Sequence, residues 1–476
     1  MVCISAVHHI YIKAGLSSLW EEKILADCFE NLIVQKLSLL VELNDPIDSQ
    51  LYQKFDVKRG LRYADGRGVL AGLTQIGDVV GYEVVEGQKV AVPGKLIYRG
   101  YNVEDLVRDT ASQDEFGFEQ TVYLLLFGEL PNRSQLEEFR SYLGGRRSLP
   151  DNFTEDMIMK APSPDIMNKL ARCVLASYSY DENPDDPAIP NVLKQCIDLV
   201  AKFSTFSAYA YQAKRRYYDK KSMYIHNPVP ELSTAENFLR LIRSDKSYTK
   251  LEAEVLDLAL ILHAEHGGGN NSSFSIHVVS SADTDTYSAI AAAVGSLKGR
   301  RHGGANMMVM EMMDDIKANV KDWSNEAEIK EYLRKIVRKE AFDRTGLIYG
   351  QGHAVYTISD PRAILLRDKA AELAREKNMM EEYGLYCAIE RLAPEVFAEE
   401  KESDKQICTN VDFYSGFVYT MLNIPRELYT PIFAMSRIAG WAAHRIEEVI
   451  AGGRIYRPAY KNVLDSRTFI PMEGRK

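Results

Sequence analysis

Cysteine is scarce in this chain and scattered. Its six cysteines (Cys3, Cys28, Cys173, Cys196, Cys387 and Cys408) form no Cys-x-x-Cys pair. That spacing excludes a dense disulfide framework and a thiolate zinc site, and it fits the reduced thiols of a cytoplasmic protein. Long apolar runs are missing too. None reaches the roughly 18 to 20 residues that a membrane span requires, so no membrane association is expected. The first 40 residues contain no arginine, and the N-terminus shows no basic start, apolar stretch and small-residue cleavage site. Neither a secretory signal nor a mitochondrial transit peptide is expected. Positive charge is not in excess: 58 Lys and Arg face 67 Asp and Glu, a net of -9. That balance argues against bulk nucleic-acid binding. A Walker-type phosphate loop is absent. The stretch Gly66-Arg67-Gly68-Val69-Leu70-Ala71-Gly72 misses the dinucleotide-binding spacing by one residue, follows no clear strand, and reads as a loop.

What remains is a soluble, globular composition, 46% hydrophobic and 26% charged over 476 residues, long enough for two domains. Helical periodicity runs through most of the chain. The exception is about 73 to 102, where β-branched residues alternate with turn residues and predict short strands or a hairpin. A helix is expected over about 250 to 266. Thr249 and Glu252 form a capping box at its start, and Leu251, Val255, Leu258 and Leu262 give it an apolar stripe. Three glycines, Gly267 to Gly269, end it. The next helix is expected to begin near Asp283 or Thr284 and to end by Gly299. Both helices look buried, which places the polar loops at their ends against a shared interior cleft.

The loop Lys298-Gly299-Arg300-Arg301-His302-Gly303-Gly304-Ala305-Asn306 is the most informative stretch. It joins an alanine-rich helix to a methionine-rich one. Its glycines let backbone approach a ligand, and the following helix directs free N–H groups into the gap, where they favour negative charge. His302 there can donate to an oxygen that is becoming anionic; a structural histidine is the other reading. Lys298, Arg300 and Arg301 form a local basic cluster, suited either to a polyanionic small ligand or to a solvated helix end.

Four further groups could carry chemistry. His263-Ala264-Glu265-His266 at a helix C-terminus suits a dipole-stabilised cap, an anion site or a metal. Gly350-Gln351-Gly352-His353 precedes Ser359-Asp360-Pro361-Arg362, where Asp360 caps a helix and Pro361 opens it. Arg362 then sits in the first turn against the helix dipole, offset by Asp360 or by a bound carboxylate. Asp412 lies among apolar neighbours, where desolvation would make it a base near neutral pH; the alternative is an N-cap for a helix beginning at Phe413. Arg437 falls on the face of Phe433 and Trp441, poised for a carboxylate or for an internal partner such as Glu447 or Asp412. Arg457 has no local signature.

The order and wording of these motifs resemble the citrate synthase family, from about Asp56 to about Tyr460, and the Gly-Gly form after His302 looks like bacterial members. The resemblance implies a mainly α, two-domain helical fold with a small N-terminal β element. A large domain would span 56–304 plus 424–476 and a small one 305–423, with 1–55 an extension of unknown role. It implies a homodimer that condenses acetyl-CoA with oxaloacetate and water to citrate and CoA, with no metal and no resident cofactor. By resemblance, Asp412 is the base that deprotonates the acetyl methyl group, His302 stabilises the enol, and His353 polarises the ketone. His266, Arg362, Arg437 and Arg457 bind the oxaloacetate carboxylates, the last of them sometimes from the partner subunit. The chain departs from the family in having Gly267 where an acid often follows His266. It also has Thr357 where a basic residue commonly meets the CoA phosphates, a task for which Lys298, Arg300 or Arg301 could substitute. The rival activity is 2-methylcitrate synthesis from propionyl-CoA. Readings of another class are a non-catalytic CoA-binding homologue and a metal-dependent hydrolase built on His263, His266 and His302.

Overall fold

The strand signals around 73 to 102 resolve into an antiparallel sheet, ordered β1-β2-β3, set among described elements that are otherwise helical. The computed structural model describes residues 18–63, 66–86, 88–402 and 406–475. The first seventeen residues of the extension, with Cys3, lie outside the described residues, as does Gly87. The chain divides into two units, one up to Ala71 and one from Gly72. The first carries the helix Ser18–Asn44, whose Leu32, Leu37, Leu39 and Leu43 are exposed. The second holds everything that follows.

Strands β1 (Gly77–Val85), β2 (Gln88–Tyr98) and β3 (Tyr101–Asn102) pair in sequence order. The β1–β2 register slips between Val80/Lys95 and Tyr82/Ala91, so Gly81 faces Val92, Pro93 and Gly94. Pro93 falls inside this bulge, where its missing N–H breaks no ladder bond. The bulge also serves the rest of the molecule. A Cβ on Gly81 would lie 2.4 Å from the Val355 carbonyl oxygen, and one on Gly94 would lie 2.1 Å from that of Ser359. The 353–359 loop therefore seats directly on hairpin backbone. Gly94 N–H donates to the Ser359 hydroxyl at 3.2 Å, fastening the contact.

The helix Tyr429–Ala451 runs through the centre of the second unit, against Ile189–Tyr217, Lys250–His263, Asn271–Ser280 and Thr286–Lys298. Its Trp441 and Arg437 are wholly buried. Burying a large apolar side chain is worth roughly 1.5 to 3 kcal/mol, and this helix buries Ile432, Met435, Ile438, Trp441 and Ile446. The expected buried character of Lys250–His263 and Thr286–Lys298 holds as well. The Thr249/Glu252 capping box forms as predicted, but the helix stops at His263 rather than 266, and His266 lies in the turn beyond. The helix Asn271–Ser280, capped by Asn270, follows the three glycines without having been expected from the sequence. Its weak amphipathic pattern, with Ser272, Ser273, Ile276 and His277 all buried, hid it. The following helix starts at Thr286 with Asp285 as cap, slightly later than expected. Cys173, Cys196, Cys387 and Cys408 are free thiols. No described helix is long and apolar enough to cross a membrane.

Candidate active site

Two loops distant in sequence are joined by main-chain hydrogen bonds. Gly352 N–H donates to the Cys408 carbonyl at 2.7 Å, Asn410 N–H to the Gly350 carbonyl at 2.9 Å, and the Asn410 side-chain amide to the Gly352 carbonyl at 2.9 Å. Gly350 has φ +81, and a Cβ there would press on Phe413 at 2.8 Å. Only glycine allows this closeness. The junction sets His353, one residue past the first loop, beside the start of the helix Val411–Met421, which carries Asp412.

The tautomer of His353 follows from its neighbours. Val355 N–H and Tyr356 N–H both donate to Nδ1 at 3.1 Å, so Nδ1 holds no proton. A neutral ring then carries its proton on Nε2, as a hydrogen-bond donor. Burial, reinforced by the positive charge of Arg362, lowers its pKa to about 4 and keeps the ring neutral. The ring stacks on Tyr356, 4.6 Å between centroids, and meets His266 edge-on at 5.2 Å. His266 has its Nε2 buried without a hydrogen-bond partner. Burial, then the neighbouring Arg362, the second imidazole of His353 and Arg437, push its pKa well below the usual value.

The two buried arginines differ. Arg362 gives Nε to Asp360 Oδ1 at 3.0 Å and Nη2 to Asp360 Oδ2 at 2.7 Å. The internal partner considered from sequence is thus present. Burial opposes the charge of Arg362, but the Asp360 carboxylate outweighs it and raises the pKa above the ordinary guanidinium value. No hydrogen bond of Nη1 appears among the described residues. Arg437 gives only Nε, to the His263 carbonyl at 2.6 Å. Among the described residues its buried Nη1 and Nη2 have no hydrogen-bond partner, and neither Glu447 nor Asp412 bonds to it. Burial lowers its pKa to about 10, so it stays charged. A desolvated cation with two unused donors is costly unless an anion completes it.

Asp412 is the second residue of its helix, and Asn410 is the N-cap, accepting from Asp412 N–H at 3.0 Å. This corrects the alternative reading of Asp412 as cap of a helix beginning at Phe413: the helix starts at Val411. Its carboxylate takes no protein hydrogen bond among the described residues. Burial raises its pKa to about 6, against the lowering effect of Arg362 and Arg437. His302 Nε2 lies 3.0 Å from the Ser272 hydroxyl, and its Nδ1 has no hydrogen-bond partner among the described residues. Burial, then Arg437, lowers its pKa to about 4. The loop that holds it is set by Gly303, whose Cβ would strike the Leu297 carbonyl oxygen at 2.3 Å, and by Thr430, which donates to the Gly303 carbonyl. The helix Ala305–Asn319 starts directly after, and no side chain caps its first turn.

The field of Arg437 reaches His266, His302 and Asp412, and that of Arg362 reaches His266, His353 and Asp412. Six of the seven residues named for catalysis and oxaloacetate binding share this neighbourhood. Arg457 does not join them: it is exposed in the segment after the Tyr429–Ala451 helix. Lys298 pairs with Asp165 at 3.2 Å, while Arg300 and Arg301 are exposed. His263 turns Nδ1 onto the Ala259 carbonyl at 2.7 Å and packs against Phe433. It forms no cluster of metal-ligating atoms with His266 and His302 among the described residues. Sequence reasoning missed Ser272 and Tyr356 as supports. Only the Asn270 helix-cap signal could have pointed to Ser272.

Residues 61–459 match the family described as Citrate synthase, C-terminal domain. A citrate synthase of Haloferax volcanii is 37% identical over 77% of this chain and 88% of its own length. A 2-methylcitrate synthase of Shewanella oneidensis is 32% identical over 81% of this chain and 94% of its own length. The crystal structure of citrate synthase from Pyrobaculum aerophilum aligns with a TM-score of 0.70 at 30% identity, covering 88% of this chain and 95% of that one. A ternary complex of carboxymethyl coenzyme A and oxaloacetate with citrate synthase from Thermoplasma acidophilum aligns with a TM-score of 0.71 at 25% identity, covering 88% and 99%.

Proposed function

The chain belongs to the citrate synthase family, and from that premise we propose how its own residues condense acetyl-CoA with oxaloacetate and water to give citrate and CoA. The observation that carries the proposal is Arg437, whose two buried, unpartnered nitrogens share a pocket with a carboxyl group of pKa about 6. One oxaloacetate carboxylate takes the Arg437 fork through two hydrogen bonds. Arg362, through its remaining nitrogen, and His266, through Nε2, bind the rest of the dianion. Arg457 completes the site from a second protomer of a homodimer.

Asp412 removes a proton from the methyl group of acetyl-CoA. A thioester methyl proton is weakly acidic, so its loss is concerted with donation from His302 to the thioester oxygen. His353 donates from Nε2 to the ketone of oxaloacetate, and the enol carbon attacks that ketone. Water then hydrolyses citryl-CoA. None of these steps calls for a metal or a resident cofactor. Residues 305–423 act as a small domain whose closure over 56–304 and 424–476 expels water and strengthens each hydrogen bond. Arg300 and Arg301 meet the CoA phosphates; Lys298, held by Asp165, contributes less. The enzyme works in the cytoplasm, away from nucleic acid and membrane.

Propionyl-CoA is the competing donor, because 2-methylcitrate synthases stand among the relatives at similar identity. One methylene in an apolar pocket discriminates by only about 1 to 3 kcal/mol. Release of free CoA thiol, followed with oxaloacetate and either acyl-CoA, tests both readings. Faster release from acetyl-CoA is expected. Faster release from propionyl-CoA would reassign the substrate, and no release from either would leave a non-catalytic CoA-binding protein.

A further inference from the structure

Outside this pocket, His277 and His444 face each other beside Glu447. One nitrogen of each ring and one Glu447 carboxylate oxygen lie within 4.8 Å of one another. His277 Nε2 is 3.0 Å from His444 Nδ1, and Glu447 Oε2 is 3.7 Å from the same Nδ1. In a tetrahedral site with metal–nitrogen bonds of about 2.0 to 2.1 Å, ligand atoms stand roughly 3.3 Å apart; the two separations at His444 Nδ1 bracket that value, and His277 and Glu447 offer atoms within 4.8 Å of each other. Glu447 Oε2 is buried with no hydrogen-bond partner among the described residues, while Oε1 is held by Gln75 N–H at 2.7 Å.

The outer nitrogens of both rings are held by carboxylates. His277 Nδ1 is 2.6 Å from Glu448 Oε2, and His444 Nε2 is 3.1 Å from Glu265 Oε1. A carboxylate on the far nitrogen orients a metal-binding histidine and raises its basicity. Here it directs both inner nitrogens at the same point. His444 and Glu447 stand one helical turn apart on one face of the Tyr429–Ala451 helix, and His277 comes from the Asn271–Ser280 helix packed against it. Gly268 covers the pair with no side chain: a Cβ there would lie 3.6 Å from His277 Nε2 and 3.5 Å from His444 Cε1. Three carboxylates, Glu265, Glu447 and Glu448, stand against the two rings.

We propose that His277, His444 and Glu447 form a zinc site, with Glu265 and Glu448 orienting the two imidazoles, separate from the condensing pocket. Two imidazoles and a carboxylate suit Zn²⁺. Coordination expels the proton between the rings to solvent, and the outer N–H groups stay on their carboxylates. The ion ties the Asn271–Ser280 helix, which carries Ser272 beneath His302, to the central helix.

The full-length protein is stripped with a strong chelator, then dialysed against Zn²⁺ alone or Co²⁺ alone. We expect one zinc per chain by elemental analysis, a raised Tm, and the intense visible bands of four-coordinate Co²⁺. His277→Gln and Glu447→Gln should lower zinc affinity at least 100-fold, and Glu448→Gln by about 10- to 100-fold. His353→Gln should retain the full stoichiometry, separating this site from the pocket. Sub-stoichiometric zinc in the wild type, unchanged affinity in His277→Gln, or loss of the ion in His353→Gln would each overturn the assignment. Should circular dichroism find the two ligand variants unfolded, the wild-type Co²⁺ spectrum decides, and absence of the bands counts against the site.

Discussion

The Ser272 hydroxyl lies 3.0 Å from His302 Nε2 while also accepting from Trp441 Nε1 at 3.1 Å. Its one proton goes either to the ring or to Asn270 Oδ1 at 2.9 Å. Given to the ring, it leaves the other proton of a neutral His302 on Nδ1, the nitrogen with no protein partner and the one able to donate to an enolising thioester. Ser272→Ala should therefore lower kcat about 10-fold or more with little change in the oxaloacetate KM. Loss of the acceptor for buried Trp441 should cost about 1 to 3 kcal/mol of stability. Steady-state kinetics and thermal unfolding read the two effects separately.

Asp412 carries opposite consequences for activity and stability. Its pKa is raised to about 6 by burial, and the ionised form is the base, so kcat/KM for acetyl-CoA should fall as pH drops through about 6. The unfolded chain releases this proton near pH 4, so between about pH 4 and 6 the folded state binds more protons and loses stability as pH rises. Asp412→Asn should remove a penalty on the order of 3 kcal/mol at pH 7 while cutting turnover about 10²- to 10⁴-fold. A variant that kept wild-type turnover, or an unchanged pH profile, would contradict the assignment.

Arg437→Leu should weaken oxaloacetate binding about 100-fold or more, since each hydrogen bond to a charged group is worth about 1.5 to 3 kcal/mol. Arg437→Lys should recover little, because an ammonium cannot present two parallel donors. Calorimetric titration with oxaloacetate measures both.

Charge reversal at Arg300 and Arg301 together should raise the KM for acetyl-CoA several-fold and make it less sensitive to salt, with the oxaloacetate KM unchanged. The same reversal at Lys298 should act mainly on its pair with Asp165. An unchanged acetyl-CoA KM in the double variant would remove these arginines from the CoA site.

Gly94→Ala places a methyl group 2.1 Å from the Ser359 carbonyl oxygen and 2.5 Å from the Tyr356 ring. The hairpin and the His353 loop must then separate, at a cost of about 1 to 3 kcal/mol. We expect a lower Tm and a raised oxaloacetate KM, since Tyr356 N–H no longer meets His353 Nδ1 as before. Wild-type values for both would show that the loop does not depend on this contact.

Local signals announced what depends on neighbours in sequence. The Thr249/Glu252 box, the Asp360-Pro361 helix start and the β-rich stretch before 102 each formed where expected. Asn271–Ser280 escaped notice because its burial comes from packing on the central helix, so its own pattern lacks an apolar stripe. The choice of cap at Asn410 over Asp412 turned on which residue left the helix to meet Gly350 and Gly352.

By itself the sequence determined which residue types were available: the carboxyl of Asp412, the imidazoles of His266, His302 and His353, the buried-face arginine at 437, and the glycines that let loops touch. Their protonation and partners were decided only in three dimensions. Whether an arginine has its fork filled, as Arg362 does by Asp360, or empty, as at Arg437, depends on atoms brought from elsewhere in the fold. Desolvation, which raises Asp412 to about 6 and keeps His353 neutral, likewise belongs to the enclosure around a group and not to its place in the chain.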